Sequence, residues 1–427
     1  MKSLPWLCAC AIVGSLAGGA VRAQPSVSAE GHQAALSTPS GLACGSGTGT
    51  ITLRAALDAA WPRAVAARES DGERRRAEAD RAGAGSVWAA PPSLELSHRN
   101  DRLQRNAGRR ETEIGVAVPV WLPGQRAARA GTADAAAALA VAAGQAARLR
   151  LAGELRDAAW QIASDQAELA QADIQVATLK QLADDVERRV RAGDLARADA
   201  LAAQAEHLAA IVLQSEARRR VQAARARWCL LTGLEGTPDP TVPDAGPSGS
   251  VPPHPELQLA SRSTELAHQR VELMRRSRHD APELLVGVRQ DNPGRAETSQ
   301  GSVVVSLRLP FGTDGRNRPL EAAALSELDV ARTHEQRLRE RLASDIAAAR
   351  NALQSAQAQL DAETARARLL LERAGLIDKS FRAGESPLHE LLRALAAAAQ
   401  ADSAVARQIA SLGLAHARLQ HALGLLP

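Results

Sequence analysis

The chain has 427 residues and a formal net charge of +4, and it is almost free of aromatic side chains, since Tyr is absent and Phe occurs twice. This composition excludes a thick globular core built on aromatic packing and favours long helices that approach closely through small residues. Arg and acidic residues alternate along the chain, which is typical of solvated helix faces, so no nucleic acid is expected as a partner.

The N-terminus predicts export. Residues 1–23 read as a signal peptide, because Lys2 precedes an apolar run and Val21-Arg22-Ala23 is an acceptable cleavage site, with a cut after Ala20 as the alternative. Residues 24–50 are rich in Ser, Gly and Thr and are predicted to be a flexible segment. No later run approaches the roughly 20 apolar residues of a membrane helix. A membrane segment in this chain would therefore consist of strands.

Two cysteines follow the predicted signal peptide. Cys44 and Cys229 could pair in an oxidising compartment, although two unpaired thiols are the favoured interpretation. A lipid anchor on Cys44 is disfavoured because the segment before it is polar.

A tandem duplication organises the rest of the chain. The tripeptide Arg-Ala-Gly ends at Gly193 and again at Gly384, 191 positions further on. The same offset relates four other pairs of landmarks: Pro91 and Pro282, Pro119 and Pro310, Gly124 and Gly315, Gly233 and Gly424. We expect a first repeat over 51–234, a Pro/Gly linker over 235–253 and a second repeat over 254–427.

Each repeat is predicted to be an α-β-β-α-α unit. The elements of the first repeat are a helix over Leu53–Val87, strands within about 91–121, and a helical hairpin over 125–233 made of Gln125–Val190 and Leu195–Thr232. Those of the second are a helix over Pro255–Arg278, strands within about 282–311, and a hairpin over 319–425 made of Pro319–Phe381 and Pro387–Leu423.

The second strand of each repeat, Glu111–Trp121 or Gly301–Phe311, alternates apolar and polar residues over about ten positions. This alternation is typical of a membrane β-barrel strand. The alternative is an edge hairpin of a soluble domain. The first strands, Ser93–His98 and Leu284–Gln290, disagree in register by one residue between the repeats.

Residues flanking the strands are consistent with a membrane surface. Trp88, Trp121 and Phe311 lie at the helix-side ends of the strands, where an interfacial aromatic belt would sit. The Arg-rich loop over 99–110 could meet phosphates of outer-membrane lipid, or it could be an ordinary solvated loop.

The long helices carry a seven-residue apolar repeat, which predicts supercoiling against a neighbouring helix. Its members in the first repeat are Leu155, Ile162, Leu169, Val176, Ala183 and Val190, and Asp165 interrupts a companion position. Each long helix ends at an Arg-Ala-Gly turn, so the shorter helix after it must return antiparallel. Gly193 and Gly384 are then the tips of two helical hairpins.

The double α-β-β-α-α plan, the export signal, the Pro119 and Pro310 junctions and the paired tips resemble TolC-type outer-membrane efflux ducts. Three segments are most similar to the heavy-metal (cobalt–zinc–cadmium) branch: LPGQR, ERRVRAGDLARADAL and RLPFGTDGRNRP. The resemblance implies a mainly α fold with a small membrane β part: a homotrimer with a 12-stranded β-barrel in the outer membrane, continued by a long α-helical periplasmic tunnel. It also implies a passive duct that works with a periplasmic adaptor protein and a proton-driven inner-membrane pump.

The resemblance also assigns the tips. The family's tip glycine corresponds to Gly193 and Gly384, and its acidic residue six positions later corresponds to Asp199 and Glu390. Together with Arg191 and Arg382, these residues are the candidate periplasmic gate and adaptor-docking site. The alternative for the two acids is plain helix stabilisation at an N-terminus. For the two arginines it is an ordinary role at a helix C-terminus.

The sequence does not favour an enzyme. The part after residue 23 has no phosphate-binding loop, zinc-protease motif or Cys-x-x-Cys, and His416 and His421 are poorly spaced for one metal, so neither a cofactor nor a metal site is expected. Three other interpretations remain: a drug or type I secretion duct of the same fold, a periplasmic adaptor with a coiled-coil hairpin, and a soluble coiled-coil scaffold.

Overall fold

A computed structural model describes residues 50–103, 107–240, 253–294, 297–312 and 314–427. The predicted signal peptide, Cys44 and most of the predicted linker lie outside these residues. Cys229 is disulfide-bonded, so its interpretation as an unpaired thiol is wrong.

Both repeats contain the predicted order of elements. The first consists of α1 (Leu53–Ala60), α2 (Val65–Ala84), β1 (Ser93–Asn100), β2 (Arg110–Pro119), α3 (Gln125–Ala192) and α4 (Arg197–Thr232). The second consists of α5 (Pro255–Arg276), β3 (Glu283–Asn292), β4 (Gln300–Arg308), α6 (Asp314–Arg382) and α7 (Leu388–Ala422). None of the helices in these ranges combines the length and apolar character needed to cross a bilayer.

The first helix of the first repeat and the start of the long helix of the second repeat differ from expectation. The first helix is divided in two, because the 3₁₀ turn Trp61–Arg63 contains Pro62, which lacks an amide hydrogen for helical bonding. Gly124 caps the start of α3 in the left-handed region, whereas its sequence counterpart Gly315 lies inside α6. In the second repeat Gly312 has the positive φ instead. The match at this glycine is therefore one of sequence but not of structure.

The four strands form one antiparallel sheet in the order β1-β2-β3-β4, with β1 and β4 at its edges. All of the apolar alternating residues lie on one face of it, and that face is exposed. Its members are Leu94, Leu96, Ile114, Val116, Leu284, Val286, Val288, Val303, Val305 and Leu307. The other face carries ion pairs, including Arg289 with Glu111 and Arg308 with Glu283.

The observed pairing explains the one-residue disagreement between the first strands. Leu94 pairs with Val116, and Leu284 pairs with Leu307. Val116 and Leu307 are 191 positions apart, whereas Leu94 and Leu284 are 190 apart. The first strand of the second repeat has shifted by one residue, which keeps its apolar side chains on the common face.

The long helices α3 and α6 contain 68 and 69 residues, about 100 Å each at the usual helical rise. Leu155 and Ile162 of the predicted seam are buried with Trp228 in a cluster that joins α1, α3 and α4. The interrupting Asp165 is also buried, and Gln161 donates a hydrogen bond of 3.1 Å to its carboxylate. Most buried side chains are Ala, which lets the helices pack closely.

Candidate functional site at the hairpin tips

The two hairpin tips have the same backbone geometry. Gly193 has a φ of 89° and Gly384 one of 81°, both in the left-handed region that favours glycine. The amide of Asp194 donates to the carbonyl of Arg189 at 2.9 Å, and that of Glu385 donates to Ser380 at the same distance. Each long helix therefore ends in a Schellman motif, which satisfies its last carbonyl groups before the chain reverses.

The two tip arginines bind acids of their own helices. Arg191 lies 3.7 Å from Glu187, and Arg382 lies 2.9 Å from Asp378, in both cases one helical turn back. The arginine side chains remain 72% and 70% exposed. Such exposed pairs contribute little to stability, about 0.5 kcal/mol or less. Both guanidinium groups remain accessible to an external partner.

The two tip acids are not equivalent. The carboxylate of Asp199 accepts a hydrogen bond of 3.3 Å from the backbone amide of Ala196, the residue before α4. At the matching position in the second hairpin stands Pro387, which has no amide hydrogen. Glu390 makes no side-chain hydrogen bond or ion pair within the described ranges. Both acids lie in the first turn of their helices, where helix stabilisation by an N-terminal acid remains the alternative, but only Asp199 also caps a backbone amide.

An apolar cluster joins the two tips. We define the tip cluster as Ala183, Val186, Ala200, Ala203, Phe381, Leu388 and Leu391, all of them buried. The guanidinium of Arg189 lies over the Phe381 ring, 5.1 Å from its centroid, and thus connects α3 with α6. Sequence reasoning missed Arg189. The sequence feature that could have indicated this contact is Phe381, one of only two Phe in the chain, which stands where the first repeat has Val190.

The six candidate residues surround this cluster without entering it. None of them belongs to the tip cluster or to the side chains packed against it. Apart from the glycine and its two chain neighbours, no residue has an atom within 4 Å of where a Cβ would stand on Gly193 or Gly384. The structure thus separates two layers at the tips: an apolar layer that holds the hairpins together and an exposed polar layer.

A second contact joins the hairpins nearer the sheet. The indole of Trp160 on α3 packs directly on Gly413 of α7, where a Cβ would overlap the ring. The buried Arg156 donates a hydrogen bond of 2.9 Å to the carbonyl of Leu425. We call these contacts the upper contact. The two hairpins are thus connected both at their tips and at a point far from them.

Two histidines lie beside the upper contact. His254 precedes α5, and its Nδ1 accepts a hydrogen bond of 3.2 Å from the amide of Glu256. Burial lowers the pKa of His254, partly offset by the charge of Glu256. Burial also lowers the pKa of His421, and the neighbouring Arg156 adds to the effect. Both imidazoles are therefore held preferentially in the neutral form.

Within the described ranges, no three or more His, Cys, Asp or Glu side chains are grouped so that they could hold a metal ion.

Comparison with known proteins identifies the fold. No protein-family model and no curated protein sequence matches the chain. Solved structures do. The outer-membrane channel OprN matches with a TM-score of 0.70 and 18% identity over 87% of this chain and 89% of that one. VceC, an outer membrane protein of Vibrio cholerae, matches with a TM-score of 0.69 and 15% identity over 87% and 96%.

CusC, whose structures concern folding and transmembrane channel formation, matches with a TM-score of 0.71 and 14% identity over 88% of this chain and 93% of that one. The chain therefore has the fold of outer-membrane channels, as the resemblance to TolC-type ducts led us to expect.

Proposed function

We propose that this protein is the outer-membrane channel component of a tripartite efflux system, a passive exit duct rather than an enzyme. The observation that carries the proposal is the match of nearly the whole chain to outer-membrane channels. The exposed apolar face of the sheet supports it, because such a face requires a lipid or protein covering. Trp88 and Phe311, both exposed near the strand ends, fit an interfacial aromatic belt.

The proposed assembly is a homotrimer. One chain supplies four strands whose edges, β1 and β4, are free to pair with other copies. Three chains would give a barrel of 12 strands in the outer membrane. The hairpins, about 100 Å long, would extend as a tunnel through the periplasm to an adaptor protein and a proton-driven inner-membrane pump.

Fractionation of cell envelopes tests this assembly against its rivals. We expect the protein in the outer-membrane fraction, with a trimer band in gels that disappears on heating. A monomer in the soluble periplasmic fraction would overturn the duct and favour a coiled-coil scaffold or an adaptor.

The tip residues are proposed to form the periplasmic gate and the adaptor-docking surface. Arg191, Gly193 and Asp199 would act on the first hairpin, and Arg382, Gly384 and Glu390 on the second. Replacing Arg191, Arg382, Asp199 or Glu390 by an uncharged residue should change the closed-state leak or the adaptor-dependent efflux while the trimer still assembles. Unchanged conductance and unchanged efflux in all four variants would contradict a gate at this place.

The proposed substrate is a heavy-metal cation. The segments LPGQR, ERRVRAGDLARADAL and RLPFGTDGRNRP favour heavy-metal cations. The second candidate is an organic compound, which fits the leucines Leu139, Leu259 and Leu266 in the lining of a cavity of about 790 Å³ bordered by α2, α3, α5 and α6. Deleting the gene and measuring resistance to cobalt, zinc and cadmium beside resistance to organic toxicants separates the two. A change confined to organic toxicants would contradict the metal proposal.

A further inference from the structure

The apolar face of the sheet ends at the same step on all four strands. Directly paired residues form two apolar rows across it: Leu94, Val116, Val286 and Val305, then Leu96, Ile114, Val288 and Val303. Two residues further along each strand, toward the hairpin loops, the paired residues are His98, Thr112, Gln290 and Gly301. The apolar band therefore has a defined end on its loop side across the whole sheet.

The polar row after this end is joined by hydrogen bonds between side chains. His98 Nδ1 and Thr112 Oγ1 are 2.9 Å apart, and Gln290 Nε2 donates to Ser299 Oγ at 3.0 Å. These side chains therefore satisfy one another in part. The next row toward the loops is better placed to bind a group from outside the chain.

That outer row contains Arg110 between Asn100 and Asn292, its direct partners on β1 and β3. Within the four strands, Arg110 is the only permanently charged side chain on the apolar face, because the other charged residues alternate to the opposite face. Arg110 is exposed. Its guanidinium makes no hydrogen bond or ion pair with the residues that the structure describes.

The acids next to Arg110 in sequence and in register do not neutralise it. Glu111 and Asp291 are paired with each other in the sheet and lie on the opposite face. The carboxylate of Asp101, in the loop after β1, accepts a hydrogen bond of 2.7 Å from the backbone amide of Ala107. The apolar face therefore ends in one uncompensated positive charge, which is complementary to an anion.

The position of Arg110 fits one boundary of a bilayer. Arg110 and Val120 are ten residues apart on the same face, and Trp121 follows directly. Ten residues span about 34 Å along a strand, or about 26 Å along the axis of a barrel whose strands tilt by about 40°. Outer-membrane barrels present an apolar band of about 25 Å to the lipid. In the proposed duct, Arg110 would therefore lie at the boundary opposite Trp121, among lipid headgroups.

We propose that Arg110, flanked by Asn100 and Asn292, binds the phosphate group of an anionic lipid whose acyl chains cover the apolar rows. A guanidinium presents a planar fork of donors that suits phosphate, and the amide groups of the two Asn can donate to the same oxygens. The proposal rests on the proposed function, which puts the sheet in the outer membrane, and it specifies the lipid chemistry that the sheet recognises.

The test compares two lipids with the same acyl chains, diphosphorylated lipid A and its fully dephosphorylated form. Binding of each to the purified full-length protein in a neutral detergent is measured by calorimetry. We expect the wild-type protein to prefer the diphosphorylated lipid. Arg110→Gln should weaken binding of that lipid by about tenfold, equivalent to about 1.4 kcal/mol. Binding of the dephosphorylated lipid should not change, which also shows that the variant is folded.

The matched control is Arg99→Gln, which removes the same charge from an exposed position at the same end of the sheet but on its opposite face. It should retain the wild-type preference. Equal binding of the two lipids by the wild-type protein, or an equal loss in both variants, would overturn the proposal. Conductance in planar bilayers is measured separately. A conducting channel without the preference would overturn the lipid site alone, whereas the preference in a protein that forms no channel would overturn the duct alone.

Discussion

Arg189 and Phe381 form the contact that spans the two hairpin tips, with the guanidinium 5.1 Å from the centroid of the ring. They lie at the C-terminal ends of α3 and α6, so the interaction joins the two copies of the duplicated unit. Phe381 is only 3% exposed, whereas Arg189 also pairs with Asp185 on its own helix at 3.1 Å. The Phe381 ring is thus buried, and the guanidinium group of Arg189 covers it.

We expect Phe381→Ala to lower the free energy of unfolding by about 3 kcal/mol, because it empties a buried aromatic site. Arg189→Gln should cost only about 0.5–1 kcal/mol, the usual value of an exposed cation–π contact. Both changes should raise the closed-state current in planar bilayers, since they loosen the tip cluster. Arg188→Gln, which removes the neighbouring exposed arginine, is the control. An equal rise in that variant would show that charge, not the contact with the ring, sets the leak.

The tip glycines should be sensitive to a single methyl group although nothing surrounds them. Gly193→Ala and Gly384→Ala should each lower the free energy of unfolding by about 1–2 kcal/mol, because a Cβ disfavours the left-handed backbone. Gly375→Ala, inside α6 with equally open surroundings, is the matched control. It should raise stability by about 0.5–1 kcal/mol. Denaturant unfolding measures all three, and a loss of stability in Gly375→Ala would refute the conformational explanation.

The two tip acids should respond differently to replacement. Asp199→Ala removes the cap of the Ala196 amide and should cost about 1 kcal/mol of stability. Glu390→Ala should leave thermal unfolding nearly unchanged, because Pro387 offers no amide to cap. Any loss of efflux in the Glu390 variant would then reflect docking or gating rather than folding. Equal destabilisation by the two changes would contradict the assigned difference.

The upper contact should tolerate no added volume at Gly413. Gly413→Ala would force the methyl group into the indole of Trp160 and should cost about 1–3 kcal/mol. Adding Trp160→Ala should remove this clash, so the double variant should lose less stability than the sum of the two single variants. A double-mutant cycle in thermal unfolding measures the coupling. Strict additivity would mean that the two residues do not pack together.

Stability should fall as the solution becomes acidic. The pKa values of His254 and His421 are lowered from 6.5, so the unfolded chain binds more protons than the folded chain in the window just below about pH 6.5. The free energy of unfolding should therefore decrease as the pH falls from about 7.5 to 5. His421→Gln should reduce this slope in unfolding experiments, and His416→Gln on the exposed face of α7 serves as the control. An identical slope in His421→Gln would contradict the role of the half-buried imidazole.

The duplication made most of the fold predictable from the sequence. The offset of 191 residues located Gly193 and Gly384, and both have the tip geometry that it implied. The alternation of apolar residues identified the second strand of each repeat, because a period of two is characteristic of a strand with one apolar face, whereas the register of the first strands required the observed pairing. The same offset was misleading at Gly315, where the second copy has moved its turn to Gly312.

The contacts between the hairpins could not be predicted in the same way. Arg189 and Phe381 are 192 positions apart in the sequence. The apolar pattern of a single helix does not indicate which face of α3 contacts α6. Trp160 and Gly413 meet for a similar reason, through the approach of α3 and α7. The sequence shows that Pro387 stands where the first repeat has Ala196. Only the observed hydrogen bond from the Ala196 amide to Asp199 shows that Glu390 therefore lacks a matching amide to cap.

For the proposed outer-membrane duct, the two free edges of the sheet would couple membrane insertion to the assembly of several copies. The hairpins complete their hydrogen bonding within one chain, whereas β1 and β4 each present a row of backbone groups to a further strand. In hydrocarbon every unsatisfied backbone group costs several kcal/mol. If the sheet is the proposed membrane part, a lone subunit would have a folded helical part but a sheet that no bilayer can accept. Copies would then have to meet at their edges before or during insertion, and a chain that found no copy would be exposed to aggregation.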